Sequence, residues 1–484
     1  MVDAIGPVSL GSGPMQFDSF LFLIFWLVVL ALHYSISNWR AQKIVLLIAS
    51  YLFYAAWNPP FVVLLWISTT VDFWLAKTMA AAKSQERRKG LLTISLLVNL
   101  GFLGFFKYAD FLNQSFAGLL GLVGIAYQPQ PLGIVLPIGI SFYTFQTLSY
   151  TLDVYQRKTP AESSFLDFSL FVTFFPQLVA GPIVRAPQFL PQCKTPQKAS
   201  SQQFVWGLTL FLFGVFAKAI LADTALAPVV DQIYAKPTAF AGLDVWLGVL
   251  AFSGQIFFDF AGYSLCAIGA ALTLGFSLPD NFHCPYGALG FSDFWKRWHI
   301  SLSSWLRDYL YFSLGGSRGK PVRTAFNLVL VMILGGLWHG AAWTFAVWGC
   351  LHGLFLVIEH GIKQITAYRP VGLAPKLVLI LVTFVIVSLT WIPFRAQGFD
   401  NLAAVLGSLT NTIGSSELAM LSRIVVVAVM ATTLIWHIAS REIRLEQRFD
   451  NFSPMVKTSV IALLIVCVGI FSTGDSRAFI YFQF

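Results

Sequence analysis

Charge is what this sequence has least of. Asp, Glu, Lys and Arg make up only 11% of its 484 residues, while 57% are hydrophobic. Soluble proteins carry roughly 25% charged residues, so this chain cannot cover a soluble surface. Cysteine is scarce as well. The five cysteines are scattered, and Cys266, Cys350 and Cys467 lie inside apolar runs. They read as small buried hydrophobes rather than a disulfide framework or a zinc site. No basic residue precedes the first apolar run, so no secretory leader is expected. A Gly-rich phosphate loop and a nucleophile-elbow serine are both lacking, which argues against an ATPase or a serine hydrolase.

What is present is apolar sequence in runs of bilayer length, about 17–25 residues each. The net charge of +9 is gathered in short connections such as "KSQERRK" (Lys83–Lys89) and the Arg441–Arg448 stretch. That is the positive-inside bias of cytoplasmic loops, not a nucleic-acid surface. A first span near Ser19–Ser35 is followed by Arg40 and Lys43, which puts its end in the cytoplasm. Further spans are expected near Val45–Trp57, Phe61–Leu75, Leu91–Phe106 and Leu132–Leu152. "LFVTFFPQLVAGPIVR" is flanked by basic residues at both ends and broken by Pro176 and Pro182. It reads as a re-entrant element buried against protein. Phe204–Ala217, Val245–Phe276, Leu377–Trp391, Ile424–Ala439 and Ser459–Phe471 complete roughly a dozen crossings, which leaves the aromatic tail "FIYFQF" (Phe479–Phe484) outside.

Two segments break the pattern. Phe291–Arg323 carries Lys296, Arg297, Arg307, Arg318, Lys320 and Arg323, with Phe294, Trp298, Leu302, Trp305 and Tyr309 at helical spacing. The spacing predicts a basic amphipathic helix on the cytoplasmic face. Ala325–Ile358 has no formal charge and holds "GGLWHGAAW" at its middle. It is too short for two full crossings of about 20 residues each. Two shortened helices joined at Trp338–Ala341 are expected, with His339 at the floor of an outward funnel, about 24 Å along the helix from Arg323.

Seven histidines are present. His33, His283, His360 and His437 show no shared constellation, whereas His299, His339 and His352 sit in suggestive places. An ionisable side chain deep in a membrane points to function, although a histidine hydrogen-bonded between helices is the plainer alternative. Gly335, Gly336 and Gly340 clear the surroundings of His339. His339 and His352 lie roughly 220° apart around a helix, so they do not share a face as metal ligands would. Asp259 in "FFDFAGYS" reads as an intramembrane hydrogen-bond partner.

"FWKRWHISLSSWLRDYLYFSLGG", followed by "LGGLWHGAAWTFAVWGCLHG" (Leu334–Gly353), resembles the membrane-bound O-acyltransferase family, in its bacterial alginate O-acetyltransferase-like branch. "LPIGISFYTFQTLSY", "FPQLVAGPIVR" and "FDFAGYS" fit the same branch, so the resemblance covers most of the chain. One departure is Leu265, where alginate-like members carry Asp after "FAGYS".

The resemblance implies one all-α polytopic integral-membrane domain over residues 1–484. It would be a ring of roughly 11–13 transmembrane helices around a tunnel, with re-entrant and amphipathic helices, in the bacterial inner membrane. It also implies transfer of an acyl group, acetyl in the simplest case, from a cytoplasmic thioester to an extracytoplasmic exopolysaccharide such as alginate. Acetyl-CoA and an acyl-carrier protein are both open as donors, and no permanently bound cofactor or metal is expected. By motif match His339 is the catalytic histidine and His299 the second signature histidine. Lys296, Arg297, Arg307 and Arg318 fit either the donor's phosphates or anionic lipid heads. Terminal tyrosine motifs in the family imply that Tyr481 passes the acyl group to a periplasmic SGNH-type partner. Cellulose or peptidoglycan as acceptor, and a transporter of lipid-linked sugars, are the alternatives. Neither nucleic acid nor a soluble location fits.

Overall fold

Among the described residues the regular structure is helical, apart from one isolated parallel bridge between Phe240 and Ser416. The computed structural model describes residues 15–366, 371–471, 477, 479 and 480. Nine helices among these are long and apolar enough to cross a membrane. They are Pro59–Ala81, Gln85–Leu122, Ser201–Ala235, Gly242–Thr273, Pro321–His339, Trp343–Thr366, Leu373–Arg395, Met420–Ser440 and Pro454–Phe471. Phe20–Ser35 is a shorter apolar helix. The crossings expected at Val45–Trp57 and Leu132–Leu152 fall on Trp39–Ala55 and Ile140–Tyr155, of 17 and 16 residues. Helix starts follow local capping chemistry. The side chains of Ser19, Asn38 and Ser164 accept hydrogen bonds from backbone N–H groups in the first turns they precede, which satisfies donors that a helix leaves orphaned.

The chain divides into two compact units. The first contains the residues up to Leu103, Val135–Leu208 and Cys266–Leu278. Its buried acid Asp72 accepts from Ser95 Oγ at 2.6 Å and from Asn99 Nδ2 at 2.8 Å. Asn99 Oδ1 in turn accepts from Ser68 at 2.7 Å and Thr147 at 3.2 Å. Each polar atom in this knot serves another, which is what low-dielectric surroundings demand. The proline-broken element is two short helices, Phe165–Thr173 and Phe175–Leu178. Every residue from Asp167 to Val184 is buried, as irregular backbone at membrane depth requires.

The second unit contains Gly104–Ile134, Thr209–Leu265 and the chain from Pro279 onward. Its central feature is the antiparallel pair Pro321–His339 and Trp343–Thr366, packed with almost nothing between the backbones. A Cβ at Gly336 would lie 2.2 Å from the Phe345 carbonyl oxygen, and one at Gly349 would lie 2.2 Å from that of Met332. Only glycine fits this seam. These helices have 19 and 24 residues, which corrects the expectation of two shortened ones. The helices extend past the uncharged run, taking in Arg323 at one end and Glu359 and Lys363 at the other. A funnel made by short helices is therefore not what encloses His339.

The amphipathic helix also needs correction. Phe291–Arg323 is not one helix but Phe291–Trp295, Ile300–Trp305 and a π-helical turn, Leu306–Tyr311. Backbone groups that would continue the helix are taken by a neighbouring segment. His283 N–H donates to the Arg297 carbonyl and Ile300 N–H to that of Asn281, both at 2.9 Å. The apolar stripe is nonetheless the buried face: Phe294, Trp298, Leu302, Trp305 and Tyr309 are all buried. The segment is thus part of the second unit's interior rather than a raft on the membrane surface.

Candidate active site

His299 stands at the break between Phe291–Trp295 and Ile300–Trp305, with φ 43° and ψ 54°. A non-glycine residue in the left-handed region is strained, and such strain collects at functional sites. The ring is wholly buried. Its Nδ1 lies 3.1 Å from Asn281 Oδ1, and Phe260 meets it edge-on at 4.6 Å.

His339 is the last residue of Pro321–His339, at the turn before Trp343, and is 2% exposed. Trp338, Trp348 and Phe394 surround its ring at 5.0, 5.2 and 5.5 Å between centroids. The His299 ring lies 6.1 Å away. Two motifs separated in sequence therefore bring their histidines into one buried aromatic cluster. His352 belongs to the same aromatic cluster, edge-on to Trp348 at 4.9 Å, and is hydrogen-bonded to Thr390 Oγ1 at 2.9 Å. Among the described residues no three His, Cys, Asp or Glu side chains come together as ligands for a metal ion.

The basic residues divide. Arg297 is buried, with Nε donating to Asp293 at 2.9 Å and Nη1 to the Arg441 carbonyl at 2.7 Å. Arg307 pairs with Asp308 at 2.7 Å while remaining largely exposed. Lys296 and Arg318 are exposed.

Part of the aromatic tail is docked. Phe479 and Ile480 are buried, and the Phe479 ring lies 4.6 Å from Tyr263 and 5.7 Å from Phe260, the same Phe260 that touches His299. The tail's backbone is held by an intramembrane ion pair. Lys218 Nζ lies 2.5 Å from Asp259 and 2.9 Å from Asp223, and donates to the Arg477 carbonyl at 3.2 Å. Asp259 accepts the Ile480 N–H at 2.9 Å. Asp259 is thus a partner to a cation and to the tail together. Tyr481 lies outside the described residues.

With this geometry belongs a family. The profile of the membrane-bound O-acyltransferases matches residues 45–392. The chain belongs to that family. It is 41% identical over 392 residues to a probable alginate O-acetylase of Azotobacter vinelandii, covering 80% of this chain and 76% of that protein. It is 36% identical over 433 residues to the peptidoglycan O-acetyltransferase of Helicobacter pylori, covering 83% and 81% respectively. Identity to the teichoic acid D-alanyltransferase of Streptococcus thermophilus is 29% over 266 residues, 51% of this chain and 63% of that one. As a membrane-bound O-acyltransferase this chain is an enzyme, and a multi-pass inner-membrane protein.

The sequence reading missed Lys107. In this O-acyltransferase Lys107 Nζ donates to the carbonyls of Trp338 at 2.7 Å and His339 at 3.1 Å, and Tyr108 OH donates to that of Leu337 at 2.8 Å. A helix leaves its last carbonyls without partners, and a cation suits that end of the dipole. Lys107 therefore holds the turn that carries the histidine. The available signal was a lone lysine in "FFKYAD" inside an apolar run, which the cost of intramembrane charge makes suspect. Lys107→Met keeps the length and removes the donors. It is expected to lower acyl transfer about 10²-fold, the effect of a catalytic group misplaced by about 1 Å, while the chain still accumulates in membranes. Transfer at the wild-type rate would show that the histidine turn does not depend on this lysine.

Proposed function

We propose that the chain moves an acyl group, acetyl in the simplest case, from a cytoplasmic acetyl-CoA or acyl-carrier thioester across the membrane, for O-acetylation of an extracytoplasmic polysaccharide such as alginate. The observation that carries this reading is the meeting of His299 and His339 in one buried aromatic cluster. Transfer from a thioester to a hydroxyl requires the hydroxyl proton to leave as the oxygen attacks. His339 takes that proton. The acyl carbon–sulfur bond breaks, the thiolate recovers a proton to leave as a thiol, and the new ester forms on the acceptor oxygen. Exposed Lys296, Arg307 and Arg318 suit the donor's phosphates; Arg297, already engaged with Asp293 and Arg441, suits holding that surface in shape. Tyr481 is the first acceptor, and its aryl ester passes the group to a periplasmic SGNH-type partner. The anchoring of Phe479 and Ile480 beside Phe260 supports a tail that works at this site. Peptidoglycan is the second acceptor reading, favoured by the Helicobacter pylori relative.

The test supplies membranes containing the protein and its periplasmic partner with a thioester labelled in its acyl group. Label is expected on alginate and not on peptidoglycan. The opposite distribution selects the second acceptor. Label that never leaves the thioester would overturn the transfer reading.

A further inference from the structure

We propose that Asn281 is a positioning residue that sets which nitrogen of His299 carries hydrogen, leaving Nε2 as a hydrogen-bond acceptor. This rests on the reading that His299 takes part in acyl transfer. The segment carrying Asn281 lies alongside the His299 break, tied by the Ile300 N–H to the Asn281 carbonyl at 2.9 Å. Three groups converge on one atom of the Asn281 side chain. They are His299 Nδ1 at 3.1 Å, Ser301 Oγ at 2.9 Å and the Ser301 backbone N–H at 3.3 Å. A backbone N–H can only donate, so the atom it meets is the amide oxygen. The other end of the amide then donates to Ser264 Oγ at 3.1 Å. Turning the amide over would set its NH2 against the Ser301 N–H, so the orientation is determined by chemistry rather than by choice.

The consequence for His299 is direct. An amide oxygen carries no hydrogen, so the bond to Nδ1 exists only if Nδ1 is the protonated nitrogen. A neutral imidazole has one N–H, and Nε2 therefore bears the lone pair. In that form His299 receives a proton or a hydrogen bond and does not donate one to a developing oxyanion. The choice of amide over carboxylate matters too. A carboxylate at this distance would favour the imidazolium, whereas Asn orients the ring without attracting a second proton. Asn281 is 1% exposed, so water does not dilute the effect.

The test compares Asn281→Ala and Asn281→Asp with His299→Ala in the full-length protein, measuring donor KM, kcat and the pH–rate profile. Asn281→Ala is expected to lower kcat about 10–100-fold with donor KM unchanged, because the ring loses its fixed orientation. Asn281→Asp is nearly isosteric and keeps an acceptor for Nδ1. The acid limb of its pH–rate profile is expected to move up by about one unit or more, because the carboxylate favours the imidazolium. A merely structural asparagine would not move that limb. An inactive His299→Ala together with an unshifted Asn281→Asp profile would overturn the proposal while leaving the role of His299 intact. Undiminished transfer by His299→Ala would overturn both.

Discussion

His339→Ala is expected to lower polymer O-acylation by about 10²–10⁴-fold, the loss associated with a positioned general base, with the protein still present in membranes at near wild-type amounts. The two halves of this expectation have separate grounds. Chemistry is lost because the hydroxyl proton has no acceptor as the thioester carbon is attacked. The fold is retained because His339 is the last residue of its helix, where alanine is a good helix former. The glycine seam at Gly336 and Gly349 that joins the two helices does not include the imidazole. Some packing against Trp348 and Phe394 is lost, so a modest fall in thermal stability is expected. Acetyl content of the polymer, measured alongside chain abundance, decides the matter. Substantial acylation by a well-accumulated variant would remove His339 from the mechanism.

Tyr481→Phe should stop transfer as completely while disturbing less. The substitution deletes one oxygen and keeps the aromatic body. The neighbouring tail keeps its anchors: the Arg477 carbonyl on Lys218, the Ile480 N–H on Asp259 and the Phe479 ring against Tyr263. Donor binding should be unchanged, and the protein should be as stable as the wild type. If the phenol oxygen is the first acceptor, intact-mass measurement on wild-type protein turned over with donor and without its periplasmic partner should find one added acyl group. The variant should show none. An acylated variant, or wild-type polymer acetylation by Tyr481→Phe, would reduce the tail to a plug that closes the unit's interior.

How much of this could be read from the chain alone depends on the distance between the interacting groups. Periodicity over neighbouring turns picks out Phe294, Trp298, Leu302, Trp305 and Tyr309 as one apolar face, though not that protein rather than membrane covers it. Two prolines with basic flanks marked the broken element around Phe174. His339 was located by its glycines and tryptophans, all within a few residues. The break at His299 was not legible, because it is made by backbone bonds to Asn281 and His283, which belong to a different loop. The helix lengths around His339 are not legible from the uncharged run, because Arg323 and Glu359 continue their helices past its ends. Lys107 acts on carbonyls more than two hundred positions away, a pairing that no local pattern encodes. The crossing count puts the tail outside, and no local pattern says that Asp259 takes the Ile480 N–H.

The left-handed backbone at His299 has a consequence for which side chains can stand there at all. For most L-residues this conformation costs about 1–2 kcal/mol, and β-branched side chains are all but shut out, while Asn, Asp and His are enriched in it. The conformation therefore acts as a filter on sequence that precedes any selection for reactivity. Exploration of new chemistry at position 299, by evolution or in the laboratory, carries a backbone cost before a substrate has entered, smallest for glycine, Asn and Asp and largest for β-branched residues.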